Sequence, residues 1–158
     1  MPNLTPCLWF DRDAEEAARF YVSIFPNSKM GKIARYPENL PGDRAGQVLT
    51  VEFELDGKPF TGLNGGPEFK FSEAISFQIE VENQAELDRY WTALLAGGGQ
   101  ESQCGWLKDR FGLSWQVVPK QLAQLIASED KDKAGRVAAA MMQMVKLDIA
   151  KLEAAAAG

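Results

Sequence analysis

The stretch Ile75-Ser-Phe-Gln-Ile-Glu-Val-Glu-Asn-Gln-Ala-Glu-Leu-Asp-Arg-Tyr-Trp-Thr-Ala-Leu-Leu-Ala-Gly-Gly-Gly99 changes its hydrophobic period once, and the change defines a fold unit. Phe77, Ile79 and Val81 alternate with Ser76, Gln78 and Glu80, which predicts a strand over 75–81 with one apolar face. Asn83 follows as a helix N-cap, and Glu86 three residues on is placed to reach back. Leu87, Tyr90, Trp91, Leu94 and Leu95 then recur at helical spacing. Gly97-Gly98-Gly99 ends the helix, because glycine tolerates the left-handed conformation of a C-cap. Three further strands are predicted at Gln100–Cys104, Gly105–Lys108 and Leu113–Val118, with Phe111-Gly112 in the last turn.

The same order stands upstream. Leu4–Phe10 is a short apolar run, read as a strand. Asp13 is the predicted N-cap, with Glu16 three residues on, and the helix carries Ala17, Phe20, Tyr21, Ile24 and Phe25 on one face before Pro26-Asn27 stops it. Strands are predicted at Lys29–Tyr36, Gln47–Leu55 and Lys58–Asn64, the last two joined by the hairpin signal Asp56-Gly57. Asp13 precedes Phe20-Tyr21 by the interval at which Asn83 precedes Tyr90-Trp91. The repeat predicts an α+β fold of two βαβββ modules, over about residues 3–66 and 74–119, within one domain spanning 1–120. Residues 120–158 form a helical extension. Pro119 is expected in the first turn of a helix ending near Ala127, and a single helix is expected over Ala134–Ala155. Its face carries Val137, Met141, Val145, Ile149 and Leu152, and Ala154–Ala157 is expected to fray.

The composition closes several functional classes. The chain of 158 residues carries 17 Lys+Arg against 22 Asp+Glu, a net charge of −5, which disfavours nucleic acid as a partner. It contains no histidine, so a Ser-His-Asp triad, a histidine base and the commonest metal ligand are all excluded. Cys7 and Cys104 are read as buried free thiols, because two cysteines make no disulfide framework. No signal peptide and no membrane span of ~18 apolar residues is expected, which points to a cytoplasmic protein.

Two stretches carry a resemblance: Leu63-Asn-Gly-Gly-Pro-Glu-Phe-Lys-Phe71 and Cys104-Gly-Trp-Leu-Lys-Asp-Arg-Phe-Gly-Leu-Ser-Trp-Gln-Val-Val-Pro119. With Trp9-Phe10, Glu15-Glu16-Ala17 and Phe20-Tyr21, they resemble the PhnB-like family of the vicinal oxygen chelate superfamily. That superfamily holds glyoxalase I, bleomycin-resistance proteins and extradiol dioxygenases. The resemblance covers roughly residues 3–120. It implies paired βαβββ modules whose curved mixed sheets surround a cavity, and it implies a homodimer. Many members bear the name 3-demethylubiquinone-9 3-methyltransferase. Methyl transfer is not expected here, because the first strand runs into Asp11-Arg12-Asp13 without a glycine-rich turn.

The resemblance also implies where chemistry should sit. Superfamily enzymes hold one divalent metal on the cavity face through His and Glu. Alternation turns Leu8 and Phe10 toward the helix and Thr5, Cys7 and Trp9 toward the cavity. In the repeat it leaves Ser76, Gln78 and Glu80 inward. The four ligand positions read Thr5, Asn64, Ser76 and Gln116, all neutral, and neutral oxygens alone hold a transition metal weakly. Cys104, Trp106 and Gln116 complete the expected cavity residues, with Trp9 and Trp106 as aromatic walls. Glu80 is the candidate general base.

These residues favour a protein that binds a small molecule in a sheet-lined cavity with no metal and no cofactor. An enzyme using Glu80 as base, or an atypical metal site of Glu80 with Gln116, is the alternative. A third reading gives the C-terminal helix a partner-binding role.

Overall fold

The computed structural model describes residues 2–158 and divides the chain into two compact units, one ending at Phe71 and the other spanning Ser72–Gly158. The first contains β1 (Cys7–Phe10), α1 (Ala14–Ile24), β2 (Lys29–Arg35), β3 (Val48–Leu55) and β4 (Lys58–Asn64). Its sheet runs β1-β4-β3-β2, with β1 parallel to β4 and the other pairs antiparallel. The second opens with β5 (Ser76–Val81), α2 (Gln84–Leu95), β6 (Gln100–Glu101), β7 (Trp106–Lys108) and β8 (Ser114–Pro119). Its sheet runs β5-β8-β7-β6, again with one parallel pair, β5 on β8. Each unit is a βαβββ module with the strand order first, fourth, third, second. The predicted duplication is therefore present in topology as well as in spacing.

In the first unit Leu8, Phe10, Val51, Phe53, Leu55 and Phe60 are buried on the α1 side of the sheet. Alternation puts them there, and the Asp56-Gly57 turn, with φ of 49° and 74°, keeps β3 and β4 in the register that preserves it. The buried stripe of α1 is Ala14, Ala17, Ala18 and Tyr21, while Phe20, Ile24 and Phe25 are half-buried. Ala17 and Tyr21 of the expected stripe are thus buried, and Ala14 and Ala18 join them because the helix sits close to the sheet. A Cβ added at Gly62 would lie 3.2 Å from the Ala14 Cβ.

The helix start also differs from expectation. Asp13 holds the N-cap position, but its side chain makes no capping bond. The Ala14 amide donates instead to Asn64 Oδ1 at 2.9 Å, from the end of β4. In the repeat the local cap forms as predicted. Asn83 Oδ1 accepts from the Glu86 amide at 2.9 Å, and Glu86 accepts from the Glu82 amide at 3.2 Å.

The second unit buries Val81, Leu87, Tyr90, Trp91, Leu94, Leu107, Trp115 and Val117. Asp109 shapes the β7–β8 turn by accepting from the Phe111 and Leu113 amides and from Trp115 Nε1 at 2.9 Å. The strand predicted over Gln100–Cys104 is only Gln100–Glu101. Cys104 and Gly105, with φ of 58° and 84°, form a turn.

The tail corrects two expectations. Pro119 is the last residue of β8, opposite Val81, and the helix after it, α3, spans Leu122–Ile126. The single helix over Ala134–Ala155 is two, α4 (Lys131–Met142) and α5 (Ile149–Ala157). Tertiary bonds hold the break open: the carbonyls of Met144 and Val145 accept from the Cys104 and Gly105 amides, each at 2.8 Å. Leu147 is fully buried, and Asp148 caps α5 through the Lys151 amide. The last turn is helical to Ala157, and Arg136 of α4 donates to the carbonyls of Ala155 and Ala156 there. Among the described residues no helix is long and apolar enough to cross a membrane.

Candidate functional site

The expected cavity residues distribute over both units. In the first, Thr5 is exposed ahead of β1 and shares a shallow groove of about 350 Å³ with Glu52 and Thr61. Cys7 pairs with Thr61 and Trp9 with Leu63, so these four share the face opposite α1. Trp9 is half-buried and fixed: its Nε1 donates to the Gly66 carbonyl at 2.9 Å and its ring meets Phe69 edge-on at 4.9 Å. Its indole covers Gly65 so closely that an added Cβ there would lie 2.3 Å from it. The two cysteines are free, but Cys7 is exposed and Cys104 only half-buried, because neither falls on a helix-facing position.

Asn64 departs from its expected place. It pairs with Phe10, one step out of phase with Trp9, and so stands on the α1 face. It is buried, with Oδ1 on the Ala14 amide and Nδ2 on the Val48 carbonyl at 3.1 Å. Its own carbonyl accepts from the Tyr36 hydroxyl at 2.6 Å, and that hydroxyl accepts from Arg44 at 3.1 Å. Asn64 therefore borders an open cavity of about 860 Å³ on the α1 side of the first unit. Charges of both signs line it, and Arg19 is already paired with Glu15 at 2.9 Å.

The second sheet brings the largest group of expected residues together. Ser76, Gln78 and Glu80 of β5 stand on the face opposite α2, as do Ser114 and Gln116 of β8 and Trp106 and Lys108 of β7. Gln78, Gln116 and Trp106 form one cross-strand row, and Ser76, Ser114 and Lys108 form the next. A hydrogen-bond chain ties the rows: Gln78 Nε2 donates to Gln116 Oε1 at 3.3 Å, and Gln116 Nε2 donates to Ser76 Oγ at 2.8 Å. Lys108 is paired with Glu73, and this ammonium, first by its hydrogen bond, holds the Glu73 carboxyl below the ordinary glutamate range.

Ser114 was not among the expected site residues. It is 1% exposed, and its Oγ is one of two buried side-chain atoms without a partner among the described residues, the other being Gln121 Oε1. A buried hydroxyl left unpaired costs about 1–3 kcal/mol, a local cost of the close packing at this position. The β8 alternation places Ser114 beside Gln116, but only burial distinguishes it from an ordinary strand serine. Glu80 is exposed on β5, opposite Val118. Cys104 lies in the turn before β7, and its amide is spent on Met144.

The donor set does not fit the divalent metal of the superfamily enzymes. Ser76 and Gln116 offer a hydroxyl and an amide that already bond each other, and Asn64 spends its amide on backbone groups on the α1 side. Among the described residues no three His, Cys, Asp or Glu side chains cluster closely enough to hold a metal ion.

Comparison with known proteins places these features in context. Residues 2–118 match the family described as 3-demethylubiquinone-9 3-methyltransferase. The PhnB protein of Bacillus cereus, which carries that same description, is 32% identical, with a TM-score of 0.65 over 74% of this chain and 99% of that chain. A Pseudomonas aeruginosa protein, 19% identical, has a TM-score of 0.62 over 75% of this chain and 98% of its own. The fosfomycin resistance protein FosX of Mesorhizobium loti, 12% identical, has a TM-score of 0.58 over 80% and 98%. The last two likenesses are of fold alone. A search of the curated proteins finds no match.

Proposed function

The chain belongs to the 3-demethylubiquinone-9 3-methyltransferase family, the PhnB-like group within the glyoxalase/bleomycin-resistance fold, and from that premise we propose that it binds a small organic molecule without a metal. The binding surface is the face of the second sheet opposite α2. The Ser76–Gln116–Gln78 hydrogen-bond chain carries this reading. It sets neutral donors and acceptors beside the half-buried Trp106, and the family resemblance implies that Ser76 and Gln116 stand at two of the superfamily's ligand positions.

Methyl transfer gains no support from the site, whatever the family's name. β1 passes into α1 through Asp11-Arg12-Asp13, and each sheet mixes one parallel pair with antiparallel ones. An S-adenosylmethionine cradle of the doubly wound kind needs a glycine-rich turn after a parallel strand. The protein is further read as a homodimer, on family resemblance, working where its two free thiols stay reduced.

The test is a thermal-shift screen of small organic compounds on untagged protein, run with and without EDTA. A compound that raises Tm equally in both arms supports the reading. A dependence on added metal, or one tightly held divalent ion per chain by elemental mass spectrometry, sinks it.

A further inference from the structure

We infer that the first unit holds a second binding site, for a small zwitterion: a molecule carrying both a carboxylate and an ammonium, of the free amino acid class. The site is the open cavity of about 860 Å³ on the α1 side, which lies wholly within that unit. It is separate from the second-sheet surface and does not depend on that reading.

The charge inventory carries the inference. Asp11 and Arg12 come from the β1–α1 turn, Asp43 and Arg44 from the loop between β2 and β3, and all four line the cavity. Among the described residues none of the four makes an ion pair. Arg19 and Glu15, also in the lining, are spent on each other, and Glu16 has a partner within the chain. The cavity thus keeps two guanidiniums and two carboxylates uncompensated. A purely anionic ligand would meet the arginines and be repelled by the acids, and a purely cationic one would meet the reverse. A ligand with both charges complements the whole lining.

Arg44 is the fixed point of the site. Its Nη1 donates to the Tyr36 hydroxyl at 3.1 Å, and its guanidinium lies 5.6 Å from the Tyr36 ring centroid. Tyr36 is itself held, donating to the Asn64 carbonyl at 2.6 Å. Gly66, with φ of 104°, leaves room for the guanidinium, since a Cβ there would lie 2.7 Å from Arg44 Nη2. The Arg44 Nε and Nη2 groups have no acceptor among the described residues. A guanidinium held in place with N–H groups to spare is the side chain best suited to a carboxylate.

Size and polarity agree. The volume lies within the range of about 300–1,000 Å³ typical of small-molecule sites. The half-buried Tyr36 and Val48 offer apolar surface to the hydrocarbon part of such a ligand.

The experiment uses full-length, untagged protein labelled with 15N. It follows the Arg44 Nε–H signal, assigned by its loss in Arg44→Met, at mildly acidic pH, where this proton exchanges slowly. Three matched probes are titrated: L-phenylalanine carries both charges, 3-phenylpropionate lacks the ammonium, and phenethylamine lacks the carboxylate. L-Phenylalanine is expected to shift the Arg44 signal saturably and to bind at least tenfold more tightly than either of the others. Affinities of variants are read from the backbone amides of the 43–48 loop. Arg44→Met should weaken L-phenylalanine at least fivefold. Arg12→Gln and Asp43→Asn, both at exposed positions with no ion pair to lose, should each weaken it at least threefold. Asp43→Asn should also narrow its advantage over 3-phenylpropionate, and Arg12→Gln its advantage over phenethylamine. Either single-charge probe binding as tightly as L-phenylalanine overturns the zwitterion class. Unchanged L-phenylalanine affinity in Arg12→Gln and Asp43→Asn overturns the site. No movement of the Arg44 signal with any probe overturns the inference as a whole and leaves the second-sheet reading untouched.

Discussion

Asn64 at the end of β4 caps α1 by accepting the Ala14 amide, fifty residues away in sequence, at 2.9 Å. The helix start is therefore secured by tertiary structure, while Asp13, in the cap position, contributes no side-chain bond.

Asn64→Ala is expected to destabilise the protein by about 2 kcal/mol or more. It removes a cap and leaves the buried Ala14 amide and Val48 carbonyl without their partner. Asp13→Ala should cost less than about 0.5 kcal/mol, the range of an ordinary surface change. Urea unfolding of the two variants checks the order. Equal effects would count against the cross-chain cap.

Leu147 is fully buried in the break between α4 and α5, close to Gly105. Leu147→Ala should cost about 2–5 kcal/mol. If the 143–148 break were merely a frayed link in a longer helix, the same change would be almost neutral. Hydrogen exchange of the Cys104 and Gly105 amides gives a second readout, because both donate into this break. Their exchange should accelerate in the variant.

Glu73 and Lys108 set a pH dependence with a definite sign. The ammonium lowers the Glu73 carboxyl pKa in the folded state, so the pair supports folding above the unfolded carboxyl's pKa. That support is lost as pH falls through the depressed folded pKa. A carbon-detected NMR titration should place the Glu73 midpoint below the ordinary glutamate value. In Lys108→Met the midpoint should return upward, and no change would refute the pairing.

The neutral donor set on the second sheet can be converted. Ser76 and Gln116 already meet at 2.8 Å, so a histidine and a carboxylate at those positions would reach a common ion. The double variant Ser76→His, Gln116→Glu should bind Mn(II) at least tenfold more tightly than the parent chain, read by the loss of free-ion EPR signal. Equal affinity in parent and variant would show that the two side chains do not converge as described.

Light scattering after size exclusion should return twice the chain mass. A monomer mass would remove the homodimer reading.

The fold was largely legible in the chain itself. Strand alternation at Phe77, Ile79 and Val81, helical spacing at Leu87, Tyr90 and Trp91, and their echo around Phe20-Tyr21 are local patterns. Such patterns follow from backbone geometry, with a period of two in strands and 3.6 in helices. Alternation also puts Ser76 and Gln78 on one face, and the family resemblance implies Gln116 beside them. The absence of histidine closed most metal and triad chemistry at once.

Tertiary structure decided what depends on distant partners. A single helix over 134–155 is what intrinsic propensity favours. It breaks because Met144 and Val145 bond the Cys104–Gly105 turn and Leu147 gains burial, which outweighs the helix bonds given up. Asn64 falls on the α1 face because β4 aligns it with Phe10, a register set by pairing and not by composition. The unpartnered Ser114 hydroxyl is likewise invisible in sequence, where a strand serine reads as solvated. Only packing shows that water has been removed from it, and loss of that water is what makes an unpaired hydroxyl costly.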